Sequence, residues 1–377
     1  MVDYIECYPE YLKFERTIKI FIGILNFSFL RLNFLNGYEK YILSILQIYS
    51  LISSVYTFLY YERNIMLIGL NSMMIVAAIQ IIAKTSTIAT KSNQLNDLFL
   101  FIQEVHEVRE IDYLTNSSRI HLTKVLRITK LVLRNFMIPV WCISAAALSS
   151  YFTYANVLIL AVPEFGLESH STSSTFLKHH IHQVSLIIQV AISMAFVDGI
   201  LITFGLYFIA ITNIFCCMIR CIHNTELYGI TKYLVDIHQF HCKILKKYQM
   251  LNNIFGYVFT IQTATSVVFI LFIFFLLGSK ESLVFIPLSV TILTQFGALC
   301  IFGEFLFSKT GEFATELYLT KWYEFSVKEQ KMLLMMMYIA KRPLALKAAG
   351  MYEINLFLFI QVIKAGVSFC AILYTLA

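Results

Sequence analysis

Apolar residues fall into seven long runs, at roughly 38–59, 65–83, 135–160, 183–211, 254–278, 284–307 and 354–376. None shows the two-residue alternation of a membrane strand. Each is close to the roughly 20 residues that a helix needs to cross about 30 Å of hydrocarbon. The run from Ile65 to Ala83 contains no ionisable side chain. The pattern predicts an all-α, seven-transmembrane-helix protein. An earlier apolar stretch, Ile18 to Leu30, lies among Lys13, Arg16, Lys19 and Arg31 and has no small-residue cleavage site behind it. It reads as an interfacial helix, or a partial re-entrant segment, packed on the bundle rather than as a signal peptide.

The connections after the second, fourth and sixth runs are roughly 40–50 residues each, too long to be structureless. They read as helical extensions. Leu95, Leu98, Phe99, Ile102 and Val105 form one stripe at helical spacing, and Tyr233, Leu234, Ile237, Ile244, Leu245 and Tyr248 form another. A further helix is predicted from Phe313 to Ile339, with Trp322 and the run Met335-Met336-Met337. The ordinary use of such stripes is packing beneath the membrane; joining subunits is the sharper use, and both can hold. The chain thus divides into an N-terminal segment with an interfacial helix (1–37), six spans with internal helical loops (38–307), an anchor helix region (308–353) and a seventh span (354–377).

Composition agrees. The chain is 58% hydrophobic and only 14% charged, with a mean hydropathy of +0.72. A water-soluble enzyme and a disordered chain are both excluded by those values. Charge then orients the bundle. Of the 29 basic residues, 24 lie in the N-terminal segment and in the second, fourth and sixth connections. The other five are Lys40, Arg63, Lys178, Lys280 and Lys364. Basic loops stay in the cytoplasm, so the N-terminus is expected inside and the C-terminus outside, opposite to a G-protein-coupled receptor. The eight cysteines fall in spans or on the basic side, where thiols stay reduced. The sequons at Asn26 and Asn116 fall on the same side, out of reach of glycosylation.

Candidate chemistry is sparse. There is no phosphate-binding loop, dinucleotide fingerprint, HExxH or CxxC motif, and neither enzymatic activity, a cofactor, a metal nor a nucleic acid is expected. His179, His180 and His182, with His170 nearby, share a potential metal-binding spacing but lack a completing thiolate or carboxylate; solvated loop histidines are the plainer reading. His238, His241 and Cys242 read as structural. Cys216, Cys217 and Cys221 read as buried thiols, with palmitoylation near the inner leaflet as the alternative. Three ionisable residues fall inside apolar runs: Asp198, Glu304 and Lys364. Each must face a partner or water; a structural ion pair or snorkelling is one reading, pore lining or coupling the other. No inverted repeat supports a secondary transporter.

The C-terminal third carries a specific resemblance. Cys300-Ile301-Phe302-Gly303-Glu304 closes the sixth run. Ala314, Tyr318 and Trp322-Tyr323 follow, then a Leu/Met-rich helix and Lys341-Arg342-Pro343-Leu344. The last run contains Phe359, Lys364, Ser368-Phe369 and Leu373. This succession closely resembles the signature region of insect odorant receptors. Weaker matches are Asp236-Ile237-His238, Phe255, Gln262 and Asp198. Ala340 and Phe369 depart from the usual pattern without changing size or charge class enough to put membership in doubt. The long insertion that marks the shared co-receptor is missing, so the chain is similar to a tuning subunit.

The resemblance implies a ligand-gated, non-selective cation channel in the plasma membrane of a sensory dendrite, a heterotetramer with the co-receptor. A small volatile would bind in the outer half of the bundle. The positions there are Met73, Met74, Ser149, Phe152, Tyr154, Met194 and Phe296, although each alone is more ordinarily a packing residue. The last span would line the pore, with Ser368, Ile372 and Leu376 on one stripe and the latter two at the constriction; packing against neighbouring spans is the other reading of both. Lys364 would then turn toward Glu304 or sit where the path is wide. Tyr318, Trp322 and Tyr323 would meet neighbouring subunits. A gustatory receptor channel and, more remotely, a G-protein-coupled receptor are the competing functions.

Overall fold

The computed structural model describes residues 3–27, 38–60, 65–108, 112–163, 173–224, 230–277, 282–348, 350 and 352–376. The chain is a bundle of helices: α1 (Tyr8–Leu25), α2 (Ile42–Tyr60), α3 (Ile65–Thr90), α4 (Ser92–Val105), α5 (Asp112–Val132), α6 (Ile138–Tyr154), α7 (Ser173–Arg220), α8 (Ile230–Leu277), α9 (Ser282–Tyr318), α10 (Val327–Ala340) and α11 (Leu356–Leu376). A two-stranded hairpin, β1 (Lys347–Ala348) with β2 (Tyr352–Glu353), precedes α11. Six helices are long and apolar enough to cross a membrane, and α11, at 21 residues, completes a seven-helix frame.

Most helices overrun their apolar runs at the end that carries the basic connections. The 48 residues of α7 extend about 72 Å, well beyond a bilayer. They stay helical because the projecting turns bury a stripe of Tyr207, Phe208, Ile211, Phe215 and Ile219 under α1, α4, α5 and α8. The long connections are therefore continuations of the spans. The third span is a special case: α5 runs into α6 through a π-helical turn, Leu133–Met137, a local widening that bends a helix and often marks a functional region.

The expected single helix from Phe313 to Ile339 is interrupted. α9 ends at Tyr318, and α10 starts afresh at Val327. Ser326 is the reason. It forms a reciprocal capping box with Glu329, its N–H donating to the Glu329 carboxylate at 2.9 Å, which satisfies donors that a new helix leaves open.

The Ile18–Leu30 stretch is helical only as far as Leu25, and its helix begins earlier, at Tyr8. Tyr11, Phe14, Ile18 and Leu25 are buried, and α1 packs mainly on α7, with Phe21 stacked on Phe196 at 4.4 Å. Tyr11 also stacks on His106 at 4.4 Å. His106 is enclosed, and one of its ring nitrogens faces the Ile102 carbonyl at 2.7 Å. Burial holds its pKa down, to about 4, so the neutral ring is the folded form at pH 7. Stability from this ring is fully present above its ordinary value near 6.5 and is lost as pH falls toward 4. Hydrogen exchange of the α1 amides should therefore quicken steadily between pH 6.5 and 4, after correction for intrinsic rates, and His106→Phe should blunt that dependence.

Candidate functional site

Between α3, α6, α7, α8 and α9 lies a cavity of about 80 Å³. Its walls are apolar: Met73 and Met74 from α3, Leu148 and Phe152 from α6, Ile187 and Met194 from α7, Phe269 from α8, and Leu288 and Ile292 from α9. The three methionines have unbranched, polarizable side chains that repack around different shapes. Four polar side chains reach the cavity: Gln80, Trp141, Ser144 and Gln295.

Beneath the cavity sits a buried ion pair. The Lys84 ammonium donates to the Asp198 carboxylate, and the two side chains are 0% and 4% exposed. Gln295 donates to the second Asp198 oxygen at 2.9 Å, and the Trp141 indole also hydrogen-bonds to this carboxylate. One carboxylate thus joins α3, α6, α7 and α9. In hydrocarbon neither charge is tolerable alone, so the pair fixes the helices' relative depth. Gln295 and Asp198 also border a second, larger space of about 640 Å³ toward the basic end. It is bounded by α5, the π-turn, α7 and α9, with His121 and Lys124 at its far end.

At the end of the bundle away from the basic connections, the segment after α6 is fastened to its neighbours. Ile159, Leu160 and Ala161 are buried. Gln183 accepts from the N–H groups of Ile159 and Leu160 at 2.6 and 3.0 Å. Ser53 donates to the Ala161 carbonyl at 2.6 Å, and Ala161 N–H donates to Thr57 at 2.8 Å. The histidines read as solvated belong here. His179 and His180 are buried; His179 accepts from Val162 N–H at 3.1 Å, and His182 faces the Leu160 carbonyl at 3.1 Å. They fasten that segment to α7; His170 lies outside the described residues.

The sequence-based candidates divide. Met73, Met74, Phe152 and Met194 line the cavity. Three do not. Tyr154, at the end of α6, is 92% exposed. Phe296 turns to Phe359 of α11, ring centroids 5.7 Å apart. Ser149 lies beside Leu148, but only Leu148 belongs to the wall. Spacing alone does not single out Gln80, Trp141, Gln295 or Lys84; Lys84 directly follows the apolar run 65–83 and so counts with the basic second connection.

The sequence profile of the family described as 7tm odorant receptor matches residues 64–367. The chain belongs to the insect odorant receptor family. Two solved structures share the fold of this odorant receptor, those of the insect olfactory receptor OR5 from Machilis hrabei with and without eugenol. Both superpose with a TM-score of 0.79 over 99% of this chain and 100% of theirs, at 14% and 15% sequence identity. No curated protein matches in sequence. Family membership groups the chain with multi-pass membrane receptors rather than with enzymes.

The last helix of this receptor is held at two close approaches. A Cβ on Gly303 would lie 2.0 Å from the Ile354 carbonyl oxygen, and one on Gly366 would lie 2.7 Å from the Phe274 ring. Glu304 accepts from Leu356 N–H at 3.4 Å, so it meets the start of α11; no ion pair joins it to Lys364, which is exposed, among the described residues. Ile372 is 56% exposed and Ser368 is exposed; the Leu376 side chain lies outside what is described. Gly303→Ala must displace backbone, costing about 1–3 kcal/mol. The expected result is a lower unfolding temperature and faster hydrogen exchange at Leu356–Phe359.

Proposed function

We propose that this receptor is the odorant-binding subunit of a ligand-gated, non-selective cation channel. A small neutral volatile occupies the cavity between α3, α6, α7, α8 and α9. The observation that carries this reading is the cavity itself: lined by methionine and aromatic side chains, with the nearby buried charges neutralised by each other. Such a site favours shape and apolar burial over charge. OR5 of Machilis hrabei, whose fold this chain shares, was solved in complex with eugenol, a small aromatic molecule, which supports a ligand of this class.

The pore falls to α11. This helix packs on α8 and α9 and leaves Phe357, Ile360, Val367 and Ile372 uncovered. Four copies around an axis would cover that surface. Ser368 gives a wettable position, and Ile372 with Leu376 forms an apolar ring that stops ions by excluding water. The exposed Tyr318, Trp322 (40% exposed) and Tyr323 supply subunit contacts within the 308–353 anchor. Partner subunits are the family's co-receptor in a heterotetramer, with the basic end in the cytoplasm and the complex in the plasma membrane of a sensory dendrite.

Ala77 lines the cavity without filling it. Ala77→Phe, expressed with the co-receptor, should raise the half-maximal concentration of every effective volatile by about tenfold or more. Surface staining and basal current should stay at wild-type values. Unchanged dose–response curves for a variant that reaches the surface would place the ligand elsewhere.

A further inference from the structure

The cavity has one unused hydrogen-bonding group. Of its four polar side chains, three are engaged with the protein. Ser144 donates to main-chain carbonyls, at 2.9 Å to that of Pro287, and pairs with the Thr291 hydroxyl. Trp141 and Gln295 both serve Asp198. Gln80 is different. It is 1% exposed, it lines the cavity, and neither its amide oxygen nor its amide nitrogen has a hydrogen-bond partner among the described residues. A buried amide left unpaired in hydrocarbon is costly, and the opening beside it is the cavity.

We propose that Gln80 is the polar anchor for the ligand, and that this receptor is tuned to uncharged volatiles carrying one oxygen: alcohols, ketones, aldehydes, ethers or esters. The inference rests on the cavity being the odorant site. The carboxamide offers both chemistries. Its oxygen accepts from a hydroxyl, and its NH₂ donates to a carbonyl, ether or ester oxygen. The rest of the wall is almost wholly methyl, methylene, thioether and ring surface, so the ligand's remaining atoms are apolar. Charged ligands are disfavoured. Lys84 and Asp198 neutralise each other, Gln295 and Trp141 complete the carboxylate's bonds, and no counter-charge remains for a carboxylate or an ammonium. A hydrocarbon of the same shape fits the walls but leaves Gln80 unpaired, so recognition rests on a polar group going unsatisfied in the wrong complex.

The test compares oxygenated volatiles with their hydrocarbon isosteres, an alcohol against the alkane with methyl in place of hydroxyl, by whole-cell current with the co-receptor. In the wild-type receptor the oxygenated member of each effective pair should be about tenfold more potent. Gln80→Met keeps length and flexibility but removes both hydrogen-bonding groups. It should reduce that ratio to near one, chiefly by weakening the oxygenated ligand, while the hydrocarbon response is kept or improved. Equal potency of both members on the wild type overturns the proposal, whatever the variant does. So does an unchanged ratio in Gln80→Met, or agonists confined to organic acids or amines. A wild-type receptor that gives no current with any volatile would count against the channel reading instead. Thermal stabilisation of the purified receptor by alcohol over alkane, lost in Gln80→Met, supplies the same comparison without a current.

Discussion

A single buried salt bridge sets the frame on which everything else depends. Lys84 of α3 and Asp198 of α7 stand 114 residues apart in sequence, and both are buried. Water cannot neutralise either charge at that depth, and a lone one would be expelled or discharged. Their pairing therefore ties α3 to α7, and the bonds from Gln295 and Trp141 add α9 and α6. The cavity stands on this junction, the larger space toward the basic end borders it, and Gln295 lines both. On the proposed reading, a junction shared by four helices passes small adjustments around a ligand to the helices that contact α11. α9 makes that contact directly, where Phe296 meets Phe359.

The bundle packs differently along its length. The overrunning halves of α7, α8 and α9 pack on α1, α4, α5 and α10 around a dense aromatic core that includes Phe215, Phe240, His241 and Phe313. At the other end the walls are methionine and aliphatic side chains around empty volume, which costs packing energy and leaves room for a guest. The π-turn in the third span joins α5 to α6 and borders the larger space.

Much of this was legible in the sequence, and the failures share a cause. Seven spans and the helical nature of the long connections follow from hydrophobic runs and spacing; the family resemblance points to the spans, and four of the seven candidate positions on them line the cavity. Rotational phase does not. α6 and α9 are apolar nearly all round in their spanning halves, so nothing local distinguishes Leu148 from Ser149 or Gln295 from Phe296, and a shift of one residue turns a side chain by about 100°. Lys84 was missed because hydropathy treats a cation as the end of a span. The helix continues to Thr90 only because Asp198 answers that charge from far along the chain. A lone acid in the fourth run was itself a signal that some basic residue had to lie at its depth. The break before α10 was readable too, since Ser326 and Glu329 stand three apart in a capping-box pattern, but the aromatic and methionine stripe obscured it.

The central claim is that the Lys84–Asp198 pair, not either residue's bulk, holds the helices in register. A double-mutant cycle on the purified receptor, read by denaturation free energy, tests it most directly. Lys84→Met and Asp198→Leu should each destabilise by about 3–5 kcal/mol, because each leaves the other charge buried and unpaired. The double replacement should recover most of that loss. Single variants close to wild type, or a double variant whose loss equals the sum of the two, would contradict the account.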